Sequence, residues 1–554
     1  MSNSRSAHQD TFAREHLPPP QQWPDLRFTT PELQYPPRLN CARVLLDQAL
    51  DEGHADRPAV LSATMQWSYA QLRDRVDRIA HVLVRNLGVV PGNRILLRAG
   101  NSPMLVAAWL AVMKVGAIAV TTVPMLRARE LAYMARKARI DFALCEAPLV
   151  EDLRVAAVDS GHLARILTWG GGELEALMER HPLPFEPIDT AADDVCLLAF
   201  TSGTTGNAKV TMHFHRDVLA MADVVGRHLL HTEANDIYVG SPPLGFTFGL
   251  GALLVFPLRF RAATVMLEKA SPEALLQAVA RFRATAIFTA PTMYRKLAQM
   301  TSGFDLSSLR LAVSAGEHLS RHTSDAWHEA TGLRLTDGIG STEMIHIFIG
   351  ASGADIRPGA TGVPLPGYEA CILDAQDRPL PRGSTGRLAV RGPTGCRYLD
   401  DPERQRQSVV NGWNLTGDRY HLDEDGYYWF QSRTDDLIVS SGYNISGAEI
   451  EEALGTHPQV LECAVVAAPD AERGSIAKAF VVLREPTTSA EATVRALQDY
   501  VKASIAPYKY PRSVELVDAL PRTPTGKIQR SALCARAASA AGSGESGSFS
   551  SPGR

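Results

Sequence analysis

The sequence predicts an α/β protein with a large multi-layer N-terminal α/β domain and a small C-terminal α+β domain. Three observations carry that expectation. The chain has 554 residues, more than one hydrophobic core usually supports, so two or more domains are expected. From about residue 45 to about 430, short apolar runs of strand character alternate with helix-period segments, the pattern of stacked α/β layers. Beyond the polar stretch 431–436 the pattern changes to a mixed helix and strand segment of roughly 100 residues, a usual domain size.

The individual elements follow from local pattern. Apolar, β-branched runs predict strands at 59–61, 94–97, 118–121, 286–289 and 309–314. Helical spacing predicts helices at 69–87, 271–282 and 320–331, the last with Ser320 as its N-cap. The apolar run 105–125 is interrupted by Lys114 and Gly116 and ended by Pro124. A charge in mid-bilayer costs several kcal/mol, so this run predicts a buried helix leading into a buried strand, not a membrane span. The C-terminal part predicts a capped helix at 446–454, strands at 463–468 and 479–483, and a helix at 492–502. The expected divisions are a loosely ordered arm at 1–40, a large domain at 41–433, a hinge at 434–436, a small domain at 437–535 and a disordered Ala/Gly/Ser tail at 536–554.

Composition narrows the function. With 45% hydrophobic and 21% charged residues this is an ordinary globular composition. A net charge of −4 supplies no general affinity for nucleic acid or an anionic membrane, so charge that handles an anion must be local. The seven cysteines (Cys41, Cys145, Cys196, Cys371, Cys396, Cys463 and Cys534) include no C-x-x-C pair. That argues against a zinc site and a disulfide framework. Together with the absence of a basic–apolar–small signal pattern, it leads to the expectation of a cytoplasmic protein.

The most informative segment is Thr201-Ser202-Gly203-Thr204-Thr205-Gly206-Asn207-Ala208-Lys209. Gly203 and Gly206 permit left-handed backbone and bring N–H groups against anionic oxygens, four hydroxyls add donors, and Lys209 adds a point charge. The apolar run 195–200 places this loop at a strand end. It is not a Walker-type P-loop: Gly206 and Lys209 are not adjacent, and Val210 follows the lysine. Near the other end, residues 521–530 place Lys527 on a turn stiffened by Pro521, Pro524 and Gly526, which can present an ammonium rigidly to an anion.

These two motifs, in this order, resemble those of the adenylate-forming superfamily of acyl-CoA ligases, peptide-synthetase adenylation domains and luciferases. The resemblance spans roughly residues 40–535. It implies activation of a carboxylate with Mg²⁺ and ATP to an acyl-adenylate and pyrophosphate, then displacement of AMP by a thiol, usually that of coenzyme A. It also implies that the small domain is mobile, rotating about a hinge at Asp435 after adenylation.

The resemblance extends residue by residue. Asp337-Gly338-Ile339-Gly340-Ser341-Thr342-Glu343 matches the adenine and α-phosphate motif, in which Thr342 donates to the phosphate and Glu343 ligates Mg²⁺. Ala315-Gly316-Glu317 matches the segment lining adenine. Asp418 and Arg433 match the ribose contacts, and Lys527 the catalytic lysine that bridges carboxylate and adenylate. Ser441-Gly442-Tyr443 resembles the strip beside the CoA arm.

The acid is expected to be aromatic. Phe246, Thr247 and Phe248 sit in a stretch of small residues and aromatics that suits a flat ring. His213 and His215 after the phosphate loop are similar to the aryl-CoA ligases, most of all to enzymes acting on 2-aminobenzoate. Ile345 and His346 resemble the ring contacts of benzoate-type ligases. An ortho amino or hydroxyl group needs a polar partner, since a buried unmatched donor costs about 1–3 kcal/mol. His213, Thr247 and His346 are the candidates. The expected reaction is 2-aminobenzoate–CoA ligation, with benzoate or hydroxybenzoate next, and loading of a carrier-protein thiol as the alternative.

Overall fold

In the computed structural model, residues 5–181, 184–201, 208–433, 438–440, 443–470, 473–505, 509–523 and 526–542 are described. Two large sheets form the N-terminal domain. The first has six strands, ordered Arg165–Trp169, Phe142–Glu146, Arg94–Arg98, Ile118–Thr122, Val195–Thr201 and Lys209–Phe214. All its pairings are parallel except the last, which is an antiparallel hairpin. The second has nine strands. Its parallel centre runs Leu335–Gly340, Leu311–Ser314, Ala286–Thr289, Ile237–Gly240, Ala263–Val265 and Pro58–Leu61.

Helices occupy three layers around these sheets. Pro103–Lys114 has eleven of its twelve residues buried and lies in the largest core, between the sheets, together with Tyr69–His81 and the helical stretches around 218–230 and 250–258. Such a helix is apolar all round because both its faces meet protein. Its single charge, Lys114, is neutralised by Asp77 and Asp47. Ala128–Ala138 and Val150–Ser160 cover the outer face of the first sheet. Pro272–Phe282, Pro291–Ala298 and Arg321–Thr331 cover that of the second. Ser271 and Ser320 each cap their helix through the side-chain oxygen. A third, antiparallel sheet of five strands includes Trp413–Leu422 and Tyr428–Arg433.

The small domain is a five-stranded sheet built on the long hairpin of Val460–Asp470 and Gly474–Leu483. Gly447–Gly455 and Ala490–Ser504 pack on one face, and Arg530–Gly542 packs on the other.

Two expectations about the chain ends differ from the structure. Residues 5–40 do not form a loose arm but lie pinned along the large domain. Phe12 and Leu33 are buried, Asp10 pairs with Arg94, and Leu26 makes a bridge to Gly392. The prolines break regular structure, yet widely spaced apolar anchors still give the segment a surface to bury. At the other end helix continues through Gly542, so residues 536–542 extend a helix rather than start a tail.

Candidate active site

The cleft is built where strand ends from both large sheets meet the third sheet and the small domain. Val195–Thr201 leads to Thr201, which pairs across the hairpin with Lys209. Ser202, Gly203, Thr204, Thr205 and Gly206 lie outside the described residues, as do Asp435, Ser441 and Gly442. Tyr443 begins the strand Tyr443–Ile445 in the small domain.

The neighbouring strands Leu311–Ser314 and Leu335–Gly340 are in register with Ser314 opposite Asp337. Ala315-Gly316-Glu317 and the Gly340-to-Glu343 turn therefore emerge side by side. Gly316 has φ of +92°, a conformation that favours glycine. Gly340 has no room for a side chain, since a β-carbon there would lie 2.7 Å from the His346 carbonyl. Burial pushes the Asp337 carboxyl up to about 8, against the pull of a hydrogen bond from the Gly338 backbone. Ile339 packs half-buried against the main core.

Glu343 is held from the opposite wall. The Tyr398 hydroxyl donates to Glu343 Oε1 at 2.7 Å. Tyr398 is itself buried and bridged to Thr211 of the hairpin. Burial and the Glu343 carboxylate raise the phenol's pKa, so it remains a donor. His213 shares this wall. It is fully buried, and its Nε2 is 3.0 Å from Thr211 Oγ1. Burial pulls its pKa down to about 4, partly opposed by nearby Asp217, the Thr342 backbone and Glu343, so the ring is neutral at neutral pH.

On the third sheet Asp418 stands in register with Arg433, with Nη1 3.6 Å from Oδ1. Lys527 reaches the same place from the small domain. A β-carbon at Gly316 would lie 3.7 Å from Lys527 Cε and 3.9 Å from Nζ. Lys527 is open to solvent but walled by protein, and this desolvation lowers its pKa from the usual 10.5. Glu317 and Asp418 oppose that shift, and Arg433 adds to it. The lysine's turn is closed by hydrogen bonds from Thr523 N–H to the Lys527 carbonyl at 2.7 Å and from Gly526 N–H to the Thr523 carbonyl at 2.9 Å. Arg530 anchors its far side to Glu451 at 2.7 and 2.8 Å. Contacts between the domains include an Arg321 N–H bond to Glu452 Oε1 at 3.4 Å.

A second group of residues forms an apolar recess with polar atoms. Phe246 precedes the helical turn Thr247–Leu250, on which Thr247 is buried and Phe248 faces His346, with ring centroids 5.8 Å apart. His346 Nε2 is 3.3 Å from the Phe248 carbonyl, and its Nδ1 has no hydrogen-bond partner. Burial lowers this imidazole to about 4 as well. Ile345 is fully buried at φ of +66°, a strained conformation for a β-branched residue. Phe256, 4.7 Å from His346 between ring centroids, and Gly251 complete the recess. A β-carbon on Gly251 would lie 2.4 Å from His346 Cδ2.

His215 does not belong to either group. If the strand continued, positions 211, 213 and 215 would share a face, but Lys209–Phe214 ends and a helix begins at His215. Its ring instead packs beside Cys41, with Nδ1 3.1 Å from Sγ. Conversely, Tyr398, Phe256 and Gly251 were not singled out in the sequence. None lies in a motif that suggests a site, although a glycine inside a helical apolar run is a weak signal of close packing.

Comparison with known proteins matches this arrangement. Residues 46–397 fit the family model for the AMP-binding enzyme, and residues 449–527 that for the AMP-binding enzyme C-terminal domain. The chain belongs to the AMP-binding enzyme family. Within it the likeness falls in the aryl-CoA ligase branch. A benzoate–CoA ligase of Thauera aromatica is 33% identical over 517 residues, 91% of this chain and 97% of that protein. An acyl–CoA ligase of Bacillus subtilis, YtcI, is 35% identical over 84% of this chain and 89% of its own length. Among solved structures, the anthranilate CoA ligase AuaEII in complex with anthranoyl-AMP superposes with a TM-score of 0.87 at 34% identity, covering 93% of this chain and 100% of that one. A benzoate CoA ligase from Burkholderia xenovorans gives a TM-score of 0.82 at 30% identity, covering 90% and 100%.

Proposed function

We propose that this chain is an AMP-forming aryl-CoA ligase whose preferred acid is 2-aminobenzoate, with benzoate and hydroxybenzoates next. The observation that carries the reading is the placement of Lys527. It enters the cleft from the small domain against Gly316, electrostatically coupled to Glu317, Asp418 and Arg433.

The chemical problem is an anion attacking an anion, which a site eases by neutralising charge and fixing alignment. In this reading Asp418 and Arg433 hold the ribose, and Asp337 and the 315–317 segment line adenine. Lys209 and Thr342 meet the phosphates. Lys527 lies between carboxylate and α-phosphate, drawing the nucleophile to the phosphorus and stabilising charge as pyrophosphate leaves. Glu343 offers a hard oxygen donor, held in place by Tyr398, and so fits Mg²⁺. The ion, when bound, supplies further neutralisation of phosphate charge. The carboxylate itself is the nucleophile, and no covalent enzyme intermediate forms.

The ring then occupies the recess of Phe248, Ile345 and His346. Burial keeps His346 neutral, and with its Nε2–H given to the Phe248 carbonyl, Nδ1 is left as an acceptor for a neutral amino or hydroxyl substituent. That supports a 2-substituted benzoate over a plain alkyl chain. Rotation of the small domain about residues 434–436 would withdraw Lys527 and admit the CoA thiol past residues 441–443.

The test is AMP release from ATP, with and without CoA, across 2-aminobenzoate, benzoate, 2-hydroxybenzoate, a cinnamate and a medium-chain fatty acid. CoA-dependent turnover that prefers 2-aminobenzoate supports the reading. Preference for the fatty acid, or AMP release indifferent to CoA, overturns it. The latter outcome would favour a carrier-protein thiol as acceptor.

A further inference from the structure

Away from the cleft, three side chains with no part in this chemistry converge at the open end of the Val195–Thr201 and Lys209–Phe214 hairpin. Cys41 opens the helical segment that follows the N-terminal arm, Cys196 is the second residue of its strand, and His215 opens the helix after the hairpin. All three are fully buried. One ligand atom from each, two thiol sulfurs and an imidazole nitrogen, lies within 4.8 Å of the other two. The Cys41 N–H lies 3.2 Å from His215 Nδ1, and the Cys41 sulfur lies 3.1 Å from the same nitrogen.

Two further observations mark the place as incomplete. His215 Nε2 has no hydrogen-bond partner. His8, a buried residue of the docked arm within electrostatic reach of His215, has neither ring nitrogen partnered. Buried polar groups without partners are rare and costly.

The donor set selects the ligand. Thiolate and imidazole favour a thiophilic d¹⁰ cation over Mg²⁺ or Ca²⁺. Two thiolates and a neutral imidazole carry two negative charges, which a divalent ion cancels, leaving no net charge to bury. A monovalent copper ion would leave one charge uncompensated. We propose that Cys41, Cys196 and His215 form a structural zinc(II) site, with His8 available as the fourth donor. Binding displaces one proton from each thiol to solvent and changes no oxidation state. The ion ties the helix after the arm to both strands of the hairpin at its open end.

The experiment uses untagged full-length protein from zinc-replete cells, dialysed against a moderate chelator. Metal is then counted by mass spectrometry, and apo-protein is titrated with Co²⁺. The site predicts about one zinc per chain and a thiolate-to-cobalt charge-transfer band, which oxygen ligands such as Glu343 cannot produce. Cys41→Ser and Cys196→Ser each remove both signals, whereas Cys463→Ser, in the small domain, keeps them. Should the serine variants fail to fold, the wild-type metal content and cobalt spectrum decide alone. Wild-type protein holding below about one-tenth of a zinc per chain with no charge-transfer band overturns the proposal, and so does a Cys41–Cys196 disulfide in a non-reduced peptide map.

Discussion

Tyr398→Phe deletes one oxygen and nothing else, and its effect can be worked from the structure. The lost atom donates to Glu343 Oε1 at 2.7 Å from a buried ring. A hydrogen bond to a charged group contributes about 1.5–3 kcal/mol net, and each 1.4 kcal/mol is a factor of ten. If Tyr398 holds Glu343 where the metal and phosphates need it, kcat/KM for ATP in the adenylation half-reaction falls about 10- to 100-fold. The Mg²⁺ concentration for half-maximal rate rises, and KM for the aryl acid stays within about twofold, because the ring recess is untouched. The assay is pyrophosphate release, titrated separately in Mg²⁺, ATP and acid. An ATP kcat/KM within twofold of wild type, with an unchanged Mg²⁺ response, refutes the positioning role. A uniform loss of activity with a lower thermal midpoint would instead mean that the hydroxyl serves only packing.

Lys527→Ala should lower adenylation at least about 100-fold yet spare thioester formation from supplied aryl-adenylate; equal loss of both half-reactions would sink its assigned role. Gly251→Ala places a methyl 2.4 Å from a buried imidazole that cannot retreat past Phe248 and Phe256. Overpacking of this kind costs about 1–3 kcal/mol, so kcat/KM for the aromatic acid should fall about tenfold or more with KM for ATP unchanged, read by acid and ATP titrations. Asp337→Asn addresses pH. The folded-state pKa of Asp337 is raised from 3.8 to about 8, so between those values the native state holds a proton that the unfolded state releases. Stability of the ligand-free protein therefore falls as pH rises through that window and levels off above it. The asparagine variant should lose that part of the slope in thermal midpoints measured from about pH 5 to 9, and an unchanged slope would show that Asp337 does not titrate there.

Much of the architecture was legible in the chain. The alternation of apolar runs and helical periods predicted strands at 94–97, 118–121 and 286–289, and each stands within a residue of its observed bounds. Ser271, Ser320 and Ser446 cap their helices because a short side-chain oxygen reaches the free N–H groups of the first turn, a purely local interaction. The strand 309–314 begins two residues later, at Leu311, because pairing with Ala286 sets where the ladder starts. The motifs at 201–209 and 337–343 stand out in the sequence for a related reason: each gathers its residue types within a few consecutive positions.

What the chain could not show on its own is contact between segments far apart in sequence. Glu343 and Tyr398 meet because the Gly340-to-Glu343 turn faces the Thr211–Tyr398 bridge, a matter of sheet register across 55 positions. His215 left the expected recess because a strand gave way to a helix one residue earlier, which turned its side chain away from that of His213. The arm at 5–40 reads as irregular because its prolines preclude long elements, yet the grooves that receive Phe12 and Leu33 exist only once the large domain is folded. The same holds for Cys41, Cys196 and His215. Their spacing matches no local ligand pattern, and only the packing of helix against hairpin brings them together. Sequence by itself determined the elements and the contiguous motifs, whose interactions are local. Tertiary structure decided which of those motifs share a cleft and which side chains complete it, because hydrogen-bond geometry across the fold depends on register and layer packing that no single segment contains.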